Sequence, residues 1–121
     1  LEAEMAITRA HFSGSTGGRP IPVAAVATPG TTIHVAVGGA ISMDVMFIFA
    51  SNVTGVAATL TVEFGGVTDP GDHIVKALSI PPNSGPIPIA LGQGMNGGLT
   101  VKAFSGTASA INITGWVNQV R

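Results

Sequence analysis

Beyond residue 20 the chain is a succession of short apolar segments separated by turn-forming residues. The segments cover 22–27, 31–37, 45–51, 59–64, 74–80, 87–91, 99–104 and 110–117. They are interrupted by Pro29-Gly30, Gly38-Gly39, Asn52 to Gly55, Gly65 to Gly71, Pro81 to Gly85, Asn96-Gly97-Gly98 and Gly106. Runs of this length, recurring roughly every ten to fifteen residues, approach the spacing of a β-sandwich or barrel. Several alternate with period two. In Thr59-Leu60-Thr61-Val62-Glu63-Phe64 the Leu, Val and Phe point one way and the Thr and Glu the other. Leu99-Thr100-Val101-Lys102 and Ile111-Asn112-Ile113-Thr114 behave alike. Such strands bury one face and wet the other.

Val45-Met46-Phe47-Ile48-Phe49-Ala50 breaks the alternation, being apolar throughout. A strand of this kind is covered on both sides. The core supplies one cover and a neighbouring subunit the other, which makes Met46, Phe47, Ile48 and Phe49 the expected subunit interface. Seventeen glycines and eight prolines leave little room for a helix. Pro86 and Pro88 lack N–H groups, so the segment they begin suits a sheet edge. The predicted fold is all-β: an antiparallel two-sheet sandwich, jelly-roll-like, of about eight strands.

Ahead of this domain the pattern changes. Leu1-Glu2-Ala3-Glu4 precedes Met5 and reads as a cloning remnant. Residues 5–20 are polar and rich in Gly and Ser, and predict an extended or mobile N-terminal arm. Arg9, His11 and Arg19 place three of the chain's eight Lys, Arg and His residues there. A basic arm suits a docking strap, with Arg9, His11, Phe12 and Arg19 as its contact residues. Residues 21–121 form a single domain.

Charge sharpens the reading. Only 9% of the 121 residues are Asp, Glu, Lys or Arg, against about 25% in ordinary soluble proteins. A small domain short of charge must cover its surface with Ser, Thr, Asn and Gly, and part of the apolar remainder with subunit contacts. Net charge is −1, with no basic stripe for nucleic acid. No apolar run reaches the ~18 residues of a membrane span. There is no cysteine, which excludes disulfides and thiolate chemistry.

Candidate chemistry is sparse. Nucleophile elbow, P-loop, dinucleotide fingerprint and His-Glu-x-x-His motifs are all missing. The one local cluster is Asp69-Pro70-Gly71-Asp72-His73, which reads as a tight turn, with a polar protein-contact loop or a metal site as alternatives. Glu63 is expected to be a solvated strand residue, and His34 a packed or interface histidine. Asn52-Val53-Thr54 and Asn112-Ile113-Thr114 match a glycosylation sequon too short to weigh heavily. Trp116, the single Trp, is expected to close the core with its indole N–H bonded to a loop. No catalytic residue, metal or cofactor is expected.

Four stretches carry a family likeness. They are Leu60-Thr61-Val62-Glu63-Phe64-Gly65-Gly66, Ile80-Pro81-Pro82-Asn83-Ser84-Gly85-Pro86, Val101-Lys102-Ala103-Phe104 and Ile111-Asn112-Ile113-Thr114-Gly115-Trp116-Val117-Asn118. Together they resemble small structural proteins of tailed bacteriophages, over roughly residues 23–121, with Phe64 standing where a Trp is usual. The resemblance implies a virion protein assembled in the host cytoplasm. Its implied function is that of a capsid decoration (cement) protein, a homo-oligomer (trimer or dimer) bound to the major capsid protein. The alternative is a tail or head-fibre module that binds a receptor or glycan.

Overall fold

A computed structural model describes residues 6–121. The cloning-remnant reading of residues 1–4 falls outside the described residues. Nine strands and no helix occur among the described residues: β1 (Ile7–Ala10), β2 (Ile21–Pro22), β3 (Thr31–Val35), β4 (Met43–Asn52), β5 (Ala58–Phe64), β6 (His73–Ile80), β7 (Ile87–Met95), β8 (Thr100–Ser105) and β9 (Ile111–Val120).

The pairing is nested. β5 pairs with β6, β4 with β7, β3 with β8 and β2 with β9, all antiparallel. This is one long antiparallel ribbon folded back on itself. Pairing of β4 with β9 and of β5 with β8 closes the wrap. One sheet (sheet A) runs β1-β9-β4-β7, with β2 beside β1 on the same edge of β9; the other (sheet B) runs β3-β8-β5-β6. The sandwich expected from the segment spacing is present, with jelly-roll strand order.

The core lies between the sheets. Met46, Ile48, Ile113 and Val117 from sheet A meet Ile33, Leu60, Val62, Ile80 and Val101 from sheet B, all buried. As expected from its prolines, β7 is an edge strand, with two register shifts against β4. Pro88 sits where no inward N–H is required.

Three departures from the expected segments matter. Of segment 22–27 only Pro22 is in a strand, the second residue of β2, after which the chain loops across sheet B. β4 runs on to Met43 and β7 to Met95. β1 was not foreseen, because Ile7-Thr8-Arg9-Ala10 carries too little apolar pattern to announce itself.

The N-terminal stretch is extended but docked on its own sandwich. Ile7 pairs with Val120 and Ala10 with Val117. The chain then leaves the edge, and Ile21 rejoins it opposite Ile113. Between them Phe12 drops into the core at 1% exposure, and Gly14 N–H donates to Ile33 O at 2.9 Å. Phe12 is therefore a core residue and is unavailable to a shell, contrary to its expected contact role. Its seat depends on Gly115, which has φ of +141°. A Cβ there would strike Phe47 O and crowd the Phe12 ring.

Candidate interaction surface

The all-apolar segment of β4 divides by strand periodicity. Met46 and Ile48 point inward and are buried, while Phe47 and Phe49 point outward and are half-buried. Met46 and Ile48 thus belong to the core rather than to a subunit interface: alternation sends their side chains between the sheets. Only Phe47 and Phe49, of the four expected interface residues, reach the outer face.

There they meet Trp116. The register places Phe47 opposite Trp116 on β9 and opposite Leu91 on β7. The Phe47 and Trp116 rings stack at 4.9 Å between centroids and 14° between planes, and Phe49 stacks on Trp116 at 5.9 Å. From the opposite side the Arg9 guanidinium lies 5.1 Å from the Trp116 ring centroid. β1 and β4 flank β9, so Phe47 and Arg9 take the two faces of the indole. The result is a ladder, Leu91–Phe47–Trp116–Arg9, across four strands. Trp116 does not close the core, and its Nε1–H has no acceptor among the described residues. The inward set Ile111, Ile113 and Val117 keeps period two through Gly115, so Trp116 falls on the outward set, contrary to its expected place in the core.

The outer face of sheet B carries Thr61, Glu63 and Lys102 together with Phe104. Glu63 lies opposite His73 on β6 and Lys102 on β8. It is fully buried rather than solvated, because residues 25–30 fold across it. Gly30 N–H donates to Glu63 Oε1 at 2.7 Å, and the Thr28 hydroxyl to Oε2. Both carboxylate oxygens therefore hold a loop. The turn reading of Asp69 to His73 is met: Asp72 Oδ2 accepts from Thr68 N–H and Asp72 N–H donates to Thr68 O. Asp69 is paired with Lys76 at 2.7 Å, and that hydrogen bond holds its carboxyl below the ordinary range.

One buried polar group joins the ends of the chain. His34 and Asp44 are both buried, and Nε2–H of His34 donates to Asp44 Oδ2 at 2.8 Å. His34 Nδ1 accepts Ser13 N–H at 3.0 Å, which assigns the proton to Nε2. Asp44 also accepts from Val37 N–H and, at 2.7 Å, from Arg121. Burial pushes the Asp44 carboxyl up, but the hydrogen bonds from His34 and Arg121 and their charge outweigh it, leaving it below its ordinary value. Ser, His and Asp meet here without forming a nucleophilic relay. The imidazole is bonded to the backbone of Ser13, and the Ser13 hydroxyl accepts Val35 N–H.

Asn52 is similarly committed. Its amide donates to Val56 O and Ile80 O, and its oxygen accepts from Thr54. Fully buried, it presents no acceptor for a glycan in the folded chain. Among the described residues no three His, Asp or Glu side chains converge as a metal site. A surface cleft of about 390 Å³ beneath the β1–β2 connection is lined by Gly14, Thr16, Arg19, Pro20, Ile21 and Pro22. Arg19 is its one charged group. Arg9, His11 and Arg19 are exposed but spread along the docked stretch, and only Arg9 joins the aromatic ladder.

No protein-family model, curated protein or solved structure matches the chain.

Proposed function

We propose that this protein is a non-catalytic structural component of a tailed-phage virion, a decoration protein that stabilises the head shell by multivalent protein–protein contacts. The observation that carries the reading is the division of chemistry over the molecule. Its buried polar groups hold loops and termini, and the outer face of one sheet carries a stacked aromatic cluster on a chain only 9% charged. That is the make-up of a part built to contact other proteins. The phage likeness supplies the setting, and its four stretches lie on β5 and its turn, the β6–β7 loop, β8 and β9. The mechanism is binding free energy alone. Weak contacts per subunit become tight when several copies engage a lattice, since each later contact is intramolecular. The major capsid protein is the proposed partner, with the exposed Arg9, His11 and Arg19 of the docked N-terminal stretch as its contact residues.

The competing reading is a tail or head-fibre module that stacks a sugar on Trp116. Sugar stacking requires an open aromatic face, and Phe47 and Arg9 occupy both sides of this indole.

The test is addition of purified protein to shells that lack it, followed by sedimentation and density imaging. Saturable binding at a fixed ratio to the major capsid protein supports the reading. Failure to bind shells, or location at the tail, removes it.

A further inference from the structure

The sandwich has four sheet edges, and each is blunted. β7 carries Pro88 and two register shifts. β6 carries two register shifts against β5, the exposed Lys76, and Ala77 at φ of 51°. At the edge of β3, Ile33 O and Val35 N–H are taken by Gly14 and Ser13. The fourth edge consists of two short strands, β1 and β2, separated by a loop. Bulges, prolines and charges of this kind prevent strand addition. Association through backbone pairing is therefore closed off, and what stays open is a face.

We infer that the outer face of sheet A packs against the same face of a second copy, forming a two-fold dimer. Three observations favour a second copy as the occupant. The first is size. β4 and β9 each have ten residues, so four strands offer a face of about 33 by 19 Å, on the order of 600 Å². Stable dimers bury roughly 600–1,000 Å² per partner. The second is shape. A twisted sheet is complementary to another sheet laid on it at the usual spacing of about 10 Å, and a two-fold axis presents one patch to itself. The third is charge. Among the described residues Arg9 is the only charged side chain on this face. It stands at the β1 margin over Trp116, so the centre (Val45, Phe47, Phe49, Trp116) meets its copy without burying an unpaired charge. Leu91 and Ile7, 65% and 70% exposed on the β7 and β1 flanks, gain cover in the same step.

This inference names the partner for one surface of the proposed decoration protein and does not depend on the shell. The experiment is sedimentation equilibrium of the full chain at micromolar concentration, with Leu91→Arg and Val26→Arg as variants. Both positions are more than half exposed, so each tolerates the change, and circular dichroism checks the fold. Val26 lies in the β2–β3 loop, away from the face. The expected result is a wild-type dimer, a Val26→Arg dimer of equal affinity, and a dissociation constant at least about tenfold higher for Leu91→Arg. A wild-type monomer throughout overturns the inference. So does a dimer, or a higher oligomer, that Leu91→Arg leaves unchanged. Shell binding by a monomer would leave the decoration reading standing and remove only the dimer.

Discussion

His34 and Asp44, ten residues apart in the chain, share a 2.8 Å hydrogen bond at the buried end of the sandwich, and Arg121 closes on the same carboxylate. This joint ties β3, β4 and the chain's last residue, while the opposite nitrogen of His34 holds the segment entering from Phe12.

Acid should loosen it. The Asp44 carboxyl is held below its ordinary value in the folded chain. A carboxyl lowered on folding contributes stability that is fully present above its unfolded value, near 3.9, and is lost as pH falls through the folded value. Urea unfolding between pH 7 and pH 2 should show stability declining below about pH 4. Asp44→Asn should cost roughly 3 kcal/mol at neutral pH, since it leaves His34 and Arg121 without their charged partner. It should also flatten that acid limb. An unchanged acid limb in the variant would contradict the assignment.

Phe12 should behave as a core residue. Phe12→Ala is expected to destabilise by about 3–5 kcal/mol, whereas His11→Ala, exposed beside it, should change stability by less than about 0.5 kcal/mol. Removing residues 1–14 should lower the thermal midpoint, because β9 loses β1 from its edge and the core loses Phe12. Equal midpoints for the full and trimmed chains would mean that the stretch is not docked.

Gly115 has no permissible replacement. Its φ of +141° and the contact of a Cβ with Phe47 O both forbid a side chain. Gly115→Ala should cost more than about 3 kcal/mol or prevent folding. Gly55, with open space around it and no positive φ, should accept Ala within about 1 kcal/mol. Chemical denaturation of the two variants side by side makes the comparison.

Glu63 should act as a loop clamp. Glu63→Ala strands Gly30 N–H and the Thr28 hydroxyl under the loop, a loss of about 2–4 kcal/mol. Amide exchange should rise first at Gly30, ahead of the core strands. Exchange that rises uniformly would contradict the clamp.

Much of the architecture was legible because β-strands announce themselves locally. Alternation in 59–64 and 111–114, the Gly and Pro breaks, and the prolines of β7 are properties of adjacent residues, and each led to the element observed. The continuous run 45–50 signalled a strand, and β4 is one, with the core as cover on its inward side. It could not say that Met46 and Ile48 take one side and Phe47 and Phe49 the other, because a uniformly apolar run carries no phase. Glu63 was misread for a related reason. Period two assigns it to the outward face, but a loop from residues 25–30 covers that face.

The sequence by itself determined a charge-poor, cysteine-free, strand-and-turn chain with one inward set of apolar residues per strand. Those are short-range consequences of side-chain chemistry and backbone sterics. Tertiary structure alone decided the nested pairing, the burial of Phe12, the aromatic ladder and the His34–Asp44–Arg121 joint. Each joins residues far apart in the chain, Asp44 and Arg121 by 77 positions. Such contacts form only when the ribbon wraps, and no local pattern encodes which distant strand becomes the neighbour.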